Sequence, residues 1–304
     1  MKHILGVDTS NYTTSVALCD FDGNIVLNKK IMLPVKPGSR GLRQSDAVFE
    51  HTRNIPLLMQ SIKGYEISAV SYSKAPRDNE NSYMPCFLVG RSVASALSNA
   101  LNIPIYSFSH QRGHIRAALY SCGREDLTDG KFIAFHLSGG TSEILSVETE
   151  NINLIGGTND LTFGQLIDRV GVALNLHFPC GRQMDEIACY TDIPKIKTSV
   201  SGLHFNISGA ENKITDLINQ NMGPEIICGT VFDFILNNLR SVCKSIRGEY
   251  SDIPMIFSGG VSSNSHISKA ISKEFNGYFC EAQYSCDNAC GTALLALDMI
   301  KNGK

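Results

Sequence analysis

The stretch His3-Ile-Leu-Gly-Val-Asp8, Tyr12-Thr-Thr-Ser-Val-Ala-Leu-Cys19, Asp22-Gly23, Asn24-Ile-Val-Leu-Asn-Lys-Lys-Ile-Met32 decides the fold. A short apolar run leads into an alternating segment, and an Asp-Gly turn leads into another. This is the pattern of a three-stranded meander. A loop with two prolines and two glycines follows at residues 33–42, then a helix over 45–63, a strand over 67–72, a helix over 86–101 and a strand over 103–108. The order then recurs. Phe132 to Leu137, Thr141 to Val147 and Ile152 to Ile155 read as a second meander. Helices follow over 162–175, 183–191, 209–220 and 225–247, then a strand at 255–257, a helix over 263–274, a strand at 277–280 and a closing helix over 288–301.

Three antiparallel strands continued by strand–helix units give a mixed sheet covered by helices on both faces. Two such sheets predict an α/β protein of the actin-like, sugar-kinase and Hsp70 architecture, the ASKHA or actin-like ATPase fold. In it, two duplicated domains flank a cleft. The expected division places residues 1–109 and 288–304 in the first domain and 110–287 in the second, which would carry the metal and nucleotide contacts. The chain's 304 residues suit two domains.

Composition narrows the function. Lys and Arg total 27 against 29 Asp and Glu, so there is no basic excess of the kind a dedicated nucleic-acid binder carries. No run of 18 apolar residues occurs, and Asp8 comes too early for a secretory signal. Ten cysteines are spread over the chain without a CxxC pair, which reads as reduced thiols of a cytoplasmic protein. A segment with Arg240, Lys244 and Arg247 puts three cations on one helix face, which reads as a solvated face or, alternatively, a phosphate-backbone contact.

Three turns of small residues each follow an apolar strand: Asp8-Thr-Ser10, Ser138-Gly-Gly-Thr-Ser142 and Ser258-Gly-Gly-Val-Ser-Ser-Asn264. Glycine lets backbone N–H groups approach a phosphate, although a Gly-Gly turn also serves an ordinary hairpin. His110-Gln-Arg-Gly-His114 places two imidazoles at i and i+4, one helix face and a spacing that can grip a metal ion. Two ligands do not close a site, and Asp287, just before the closing helix, is the candidate third; its ordinary role there would be a helix cap. Asp168, in Phe163-Gly-Gln-Leu-Ile-Asp168-Arg169, could accept from a ribose or pair with a helix neighbour. Phe178-Pro-Cys-Gly181 opens the next helix and could let a nucleoside pass close to the backbone.

Taken together these residues resemble the tRNA threonylcarbamoyladenosine transferase family, formerly called O-sialoglycoprotein endopeptidase or glycoprotease. The resemblance runs over nearly the whole chain. It includes Gly38-Ser-Arg-Gly-Leu-Arg43 before a helix carrying His51, Ala100-Leu-Asn-Ile-Pro104, the His110–His114 motif, Leu137-Ser-Gly-Gly140, the Asp168 motif, Pro179-Cys-Gly181, Ser201-Gly-Leu203, Gly259 to Asn264 and Cys286-Asp-Asn-Ala289. It implies a divalent metal, iron or zinc with magnesium as a further candidate, on His110, His114 and Asp287. It implies an adenine nucleotide, threonylcarbamoyl-AMP or ATP, on Leu137, Ser138, Gly139, Gly140, Thr141, Asp168, Gly181 and Asn264. The implied reaction transfers threonylcarbamoyl from its adenylate to the adenosine 3′ of a tRNA anticodon, with Asp8, His110 and His114 as catalytic residues. tRNA and other proteins of the threonylcarbamoyl pathway are the implied partners.

The chain departs from the family pattern in places, as a divergent paralogue would. Where the family reads Glu-Thr-Ser-Cys-Asp-Glu-Thr, residues 8–14 read Asp-Thr-Ser-Asn-Tyr-Thr-Thr. The family's Gly-Pro-Gly-Leu turn is replaced by residues 75–83, its Gly-Gly-His-Thr turn has Thr141 in place of His, and its Asp-Lys pair is Asp168-Arg169. The motif His-Gln-Arg-Gly-His lacks the glutamate of a zincin helix, and no Ser-His-Asp signature supports a peptidase. Two alternatives stay open: a nucleotide-binding regulatory or scaffold paralogue, and a carbamoyltransferase with a non-tRNA acceptor.

Overall fold

Strand β1 (Lys2–Asp8) pairs antiparallel with β2 (Thr13–Asp20), which pairs antiparallel with β3 (Ile25–Met32). The turn between the last two is closed by the Asp20 carboxylate, which accepts from the backbone N–H groups of Asp22 and Asn24. In this computed structural model, residues 1–10, 12–34, 42–79, 82–149 and 151–303 are described. The Gly38–Gly41 part of the expected motif, most of the 33–42 loop, and Asn11 lie outside them.

Helix α1 (Gln44–Met59), strand β4 (Glu66–Ala75), helix α2 (Phe87–Leu101), strand β5 (Ile105–Ser109) and helix α3 (His110–Ser121) follow. The sheet order is β3-β2-β1-β4-β5, with β4 and β5 parallel to β1. Both faces are buried. Leu5, Val7, Val16, Leu18 and Val70 pack under Ile55 and Leu58 of α1 and Ala94 of α2. Ile4, Cys19 and Ala69 point the other way, onto Ala293, Leu294 and Leu297 of the closing helix.

The second sheet repeats this plan. Strands β6 (Lys131–Leu137), β7 (Ser142–Glu148) and β8 (Asn151–Thr158) form the meander, and helices α4 (Phe163–Ala173) and α5 (Gly181–Ile187) follow. Next come β9 (Val200–Ser201), β10 (His204–Phe205), α6 (Ser208–Asn219), α7 (Pro224–Glu249), β11 (Met255–Ser258), α8 (Ser265–Phe275), β12 (Tyr278–Phe279), α9 (Ala282–Ser285) and α10 (Cys290–Lys301). The order β8-β7-β6-β11-β12 matches β3-β2-β1-β4-β5, with β11 parallel to β6 and β12 parallel to β11. The expected duplication is therefore present in strand order and sense. Phe135, Phe257 and Phe279 stack across β6, β11 and β12 with centroids 4.3 and 4.6 Å apart. That face of the sheet is covered by α4, α7 and α8. Helix α7 has the length and composition of a membrane span, yet its apolar side chains are mostly buried in this core. All ten cysteines are free thiols.

Where elements differ from expectation, local hydrogen bonds set the difference. The hairpin β9–β10 was not foreseen, since two-residue strands carry no periodicity. Helix α8 starts at Ser265 because Asn264 caps it, accepting from the Ile267 N–H at 2.9 Å. Strand β5 starts at Ile105 because α2 ends in a left-handed cap at Asn102 before Pro104.

The chain forms two compact units, Met1–Tyr120 with Asp287–Lys304, and Ser121–Cys286. The boundaries expected at 109/110 and 287/288 fall instead at 120/121 and 286/287. The reason is packing: α3 is bound to α10 by the paired Arg116 guanidinium and Asp298 carboxylate, at 2.7 and 3.2 Å. His110, His114 and Asp287 thus belong to the first unit.

One side chain holds a junction of the second unit. Asp160 accepts from the N–H groups of Leu161, Ile207 and Ser208 and from the Ser208 hydroxyl. Burial opposes ionisation, but these donors outweigh it and pull the carboxyl from 3.8 down to about 2. A carboxyl with a depressed folded-state pKa adds stability above its unfolded value, and that stability disappears as pH falls through the folded one. Replacing Asp160→Asn should therefore lower the urea midpoint at neutral pH. The gap from wild type should close between about pH 4 and pH 2.

Candidate metal centre and nucleotide contacts

His110 opens α3 and His114 lies one turn on, so both imidazoles leave the same side of the helix. Their Nε2 atoms are 2.8 Å apart, and the Asp287 Oδ1 lies 3.3 Å from His110 Nε2 and 3.2 Å from His114 Nε2. Both histidines are buried. The glycines of the two helices bring the third ligand in. A Cβ on Gly291, in the first turn of α10, would fall 1.8 Å from the Gly113 carbonyl oxygen. Only bare backbone on α10 can approach α3 this closely, and Asp287 sits three residues before α10 begins.

Asp8 was expected as a catalytic carboxylate. It is buried beside His110. Its Oδ2 meets His110 Nδ1 at 2.8 Å and accepts from the Ser73 hydroxyl, while Oδ1 accepts from the Ser10 N–H at 2.8 Å. This carboxylate fixes the ring so that Nε2 faces His114 and Asp287, the arrangement that orients a metal-binding imidazole. Ser73 was missed in the sequence because β4 was read as ending at Tyr72; the strand runs to Ala75.

The electrostatics point the same way. Burial opposes a charge on His110, but the charge of Asp8 and the hydrogen bonds His110 donates to Asp287 and Asp8 outweigh it and raise the imidazole to about 10. Burial also opposes ionisation of Asp287, yet hydrogen bonds from His110 and His114 hold its carboxyl well below the usual carboxylate range. Asp8 is likewise lowered against its burial, chiefly by the charge of His110. With neutral imidazoles, the two carboxylates give the cluster a charge of about −2. A divalent ion cancels that charge. Ligand atoms around an ion with bonds of about 2.0–2.2 Å stand about 3 Å apart, as these three do. The two-nitrogen, one-oxygen donor set suits zinc, iron or manganese. The residues therefore fit the expected metal, and His110, His114 and Asp287 form the one cluster of that kind among the described residues.

In the second unit, Asp168 does not pair with a helix neighbour; Arg169 reaches Glu211 instead. The Asp168 carboxylate accepts from the Cys180 N–H at 2.9 Å, which brings α4 onto the Pro179-Cys180-Gly181 turn. Burial pushes its carboxyl upward against that bond. Asn264 Nδ2 donates to Asp185 Oδ1 at 2.7 Å. Asp168, Gly181 and Asn264 are thereby gathered around the short helix α5. Asp185 was missed, although its place four residues after Gly181 on the same helix was a usable signal. Leu137 is buried at the end of β6, and the turn after it closes through Ser138 N–H to Thr141 O and Thr141 N–H to Ser138 Oγ. Among the described residues no protein acceptor faces the Gly139 and Gly140 N–H groups. Two of the α7 cations serve the fold: Arg240 pairs with Glu274, and Arg247 donates to the carbonyls of Ser251, Ile253 and Phe275.

Fold and cluster together define the class: an actin-like ATPase fold with a histidine–aspartate cluster that could hold a metal ion. Among solved structures, full-length HypF in its phosphate- and nucleotide-bound form superposes with a TM-score of 0.64 at 11% identity, covering 99% of this chain and 56% of that one. Component A of the Acidaminococcus fermentans (R)-2-hydroxyglutaryl-CoA dehydratase gives 0.57 at 15% identity over the whole of both chains. In sequence, residues 60–294 match the model of the tRNA N6-adenosine threonylcarbamoyltransferase family. The chain belongs to that family. The family's protein from Mycoplasmopsis synoviae (strain 53) is 28% identical over 316 residues, covering 98% of this chain and 99% of that protein. The one from Kosmotoga olearia is 26% identical over 321 residues, covering 99% and 94%.

Two substitutions test the centre. Asp8→Asn leaves the three ligands but removes the anionic partner of His110, and zinc or iron affinity should fall about 10–100-fold with the fold intact. Gly291→Ala forces a methyl group into the Gly113 backbone. It should cost about 2–4 kcal/mol of stability and weaken the metal further than Asp8→Asn does, as followed by thermal unfolding and metal analysis.

Proposed function

We propose that this chain is a metal-dependent transferase that moves a threonylcarbamoyl group from its adenylate to the N6 amine of the adenosine 3′ of a tRNA anticodon. The observation that carries this reading is the convergence of His110, His114 and Asp287, buttressed by Asp8, in a chain of this family. His110 Nε2, His114 Nε2 and Asp287 Oδ1 would hold the ion. A divalent metal bound there supplies a Lewis acid that polarises the carbamoyl carbonyl. Asp8 retains the proton on His110 Nδ1, so Nε2 keeps its lone pair for the ion.

The adenylate is assigned to the second unit. The N–H groups of Gly139 and Gly140 are the candidate donors to a phosphoryl oxygen, with Ser138 and Thr141 closing the turn. The Asp168 oxygen not bonded to Cys180, the backbone at Gly181 and the Asn264 side chain are the candidate contacts for the nucleoside. Because the adenylate is already a good leaving group, positioning carries much of the rate. The intact cluster favours an enzyme over a scaffold paralogue, since a scaffold has no need of three convergent ligands and an ion-orienting carboxylate.

His110→Ala tests this reading. The variant should lose bound metal and transfer of threonylcarbamoyl to tRNA together, while circular dichroism shows the fold retained. Full transfer by a metal-free variant would remove the proposed mechanism.

A further inference from the structure

The turn Asp8-Thr9-Ser10 brings a hydroxyl to the histidine pair of the first unit. Asp8 ends β1 and uses both of its oxygens: Oδ1 accepts from the Ser10 N–H at 2.8 Å, and Oδ2 meets His110 Nδ1 at 2.8 Å. One carboxylate thus sets both the turn and the imidazole ring. The residue between them is tied to α2. The Thr9 hydroxyl donates to the Cys86 carbonyl at 2.9 Å and accepts from the Gly90 N–H at 3.1 Å. The Ser10 carbonyl accepts from the Thr13 N–H at 3.2 Å, which joins the turn to β2. The backbone on either side of the Ser10 side chain is therefore held in place.

The hydroxyl that this turn presents meets a metal-ligating atom. Ser10 Oγ lies 3.4 Å from His110 Nε2, the nitrogen that also faces His114 and Asp287. Ser10 is wholly buried, and among the described residues this nitrogen is the one hydrogen-bond partner of its hydroxyl. An ion bound at the cluster takes the Nε2 lone pair. A buried hydroxyl deprived of that partner is costly unless another replaces it. The ion is the partner that arrives, and a hydroxyl oxygen has two lone pairs to offer. The spacing suits this exchange: donor atoms on bonds of about 2.0–2.2 Å at the tetrahedral angle stand about 3.3–3.6 Å apart.

We propose that the Ser10 hydroxyl oxygen is a fourth protein donor to the ion held by His110, His114 and Asp287. The inference rests on the metal centre of the function proposed above. It makes the donor set two imidazole nitrogens, one carboxylate oxygen and one neutral oxygen. The neutral oxygen adds no charge, so the two carboxylates still set the charge of the cluster. Four protein donors fill a tetrahedral zinc site, whereas a six-coordinate iron or manganese ion keeps two positions for substrate.

Cobalt(II) bound to the full-length protein is the probe, because its absorption reports the ligand atoms. Ser10→Cys offers a thiolate where the hydroxyl stood. It should give a sulfur-to-cobalt charge-transfer band in the near ultraviolet that wild type and Ser10→Ala lack, and it should bind cobalt more tightly. Ser10→Ala should bind cobalt about tenfold more weakly or worse, since a lost ligand costs no less than a lost outer-shell partner. A residue that merely buttressed the turn would change affinity without creating the band. Cobalt-loaded Ser10→Cys without the band would therefore overturn the role of Ser10 and leave the three-ligand centre standing. Should Ser10→Cys fail to fold or to bind cobalt, Ser10→Ala decides, and wild-type affinity there would overturn the role as well. A wild-type protein that takes up no cobalt, zinc, iron or manganese would overturn the metal centre itself.

Discussion

The proposed chemistry depends on two helices touching through bare backbone. Helices α3 and α10 meet where Gly113 and Gly291 leave no side chain between them. That contact sets His110 and His114 beside Asp287, which is 173 residues away from His114 in sequence. With neutral imidazoles, the two carboxylates around these three ligand atoms attract a positive charge. The Arg116–Asp298 pair locks the same two helices further along. Metal binding and the integrity of the first unit are therefore one physical question.

The second unit uses a different device. Here the glycine turns and the capped starts of α4 and α8 present backbone N–H groups and short polar side chains. Thr162 caps α4 and its hydroxyl donates to the Gly139 carbonyl, so the turn is held from the side of the helix. Asp185 is tied to Asn264 and to the Ser265 N–H, which fixes α5 against the start of α8. Each contact spends a polar group on orientation, which is how a site tells one ligand geometry from another.

Much of this was legible before the structure. The two meanders stood out because alternation with a period of two is imposed by one-sided contacts along a strand, and a turn such as Asp22-Gly23 is a local event. The i, i+4 spacing of His110 and His114 is likewise local. Asp8 was visible as a residue but not as a partner of His110, since the hydrogen bond spans 102 positions. Ser73, Asp185 and the Ser10–His110 contact were invisible for the same reason. The basic face of α7 read as solvated or, alternatively, as a phosphate contact, whereas Arg240 and Arg247 find acceptors on Glu274 and on backbone carbonyls after the helix.

The sequence by itself determined the order of most strands and helices, the duplicated plan, the family, and the residue types able to hold a metal. These follow from periodicity, turn chemistry and short spacings, all properties of neighbouring residues. Tertiary structure alone decided that Asp8 meets an imidazole, that α3 belongs with α10 in the first unit, and that the Ser10 hydroxyl lies beside the other nitrogen of that imidazole. Each of those depends on strand register or on how closely two backbones can pack, and neither quantity is written in any local pattern.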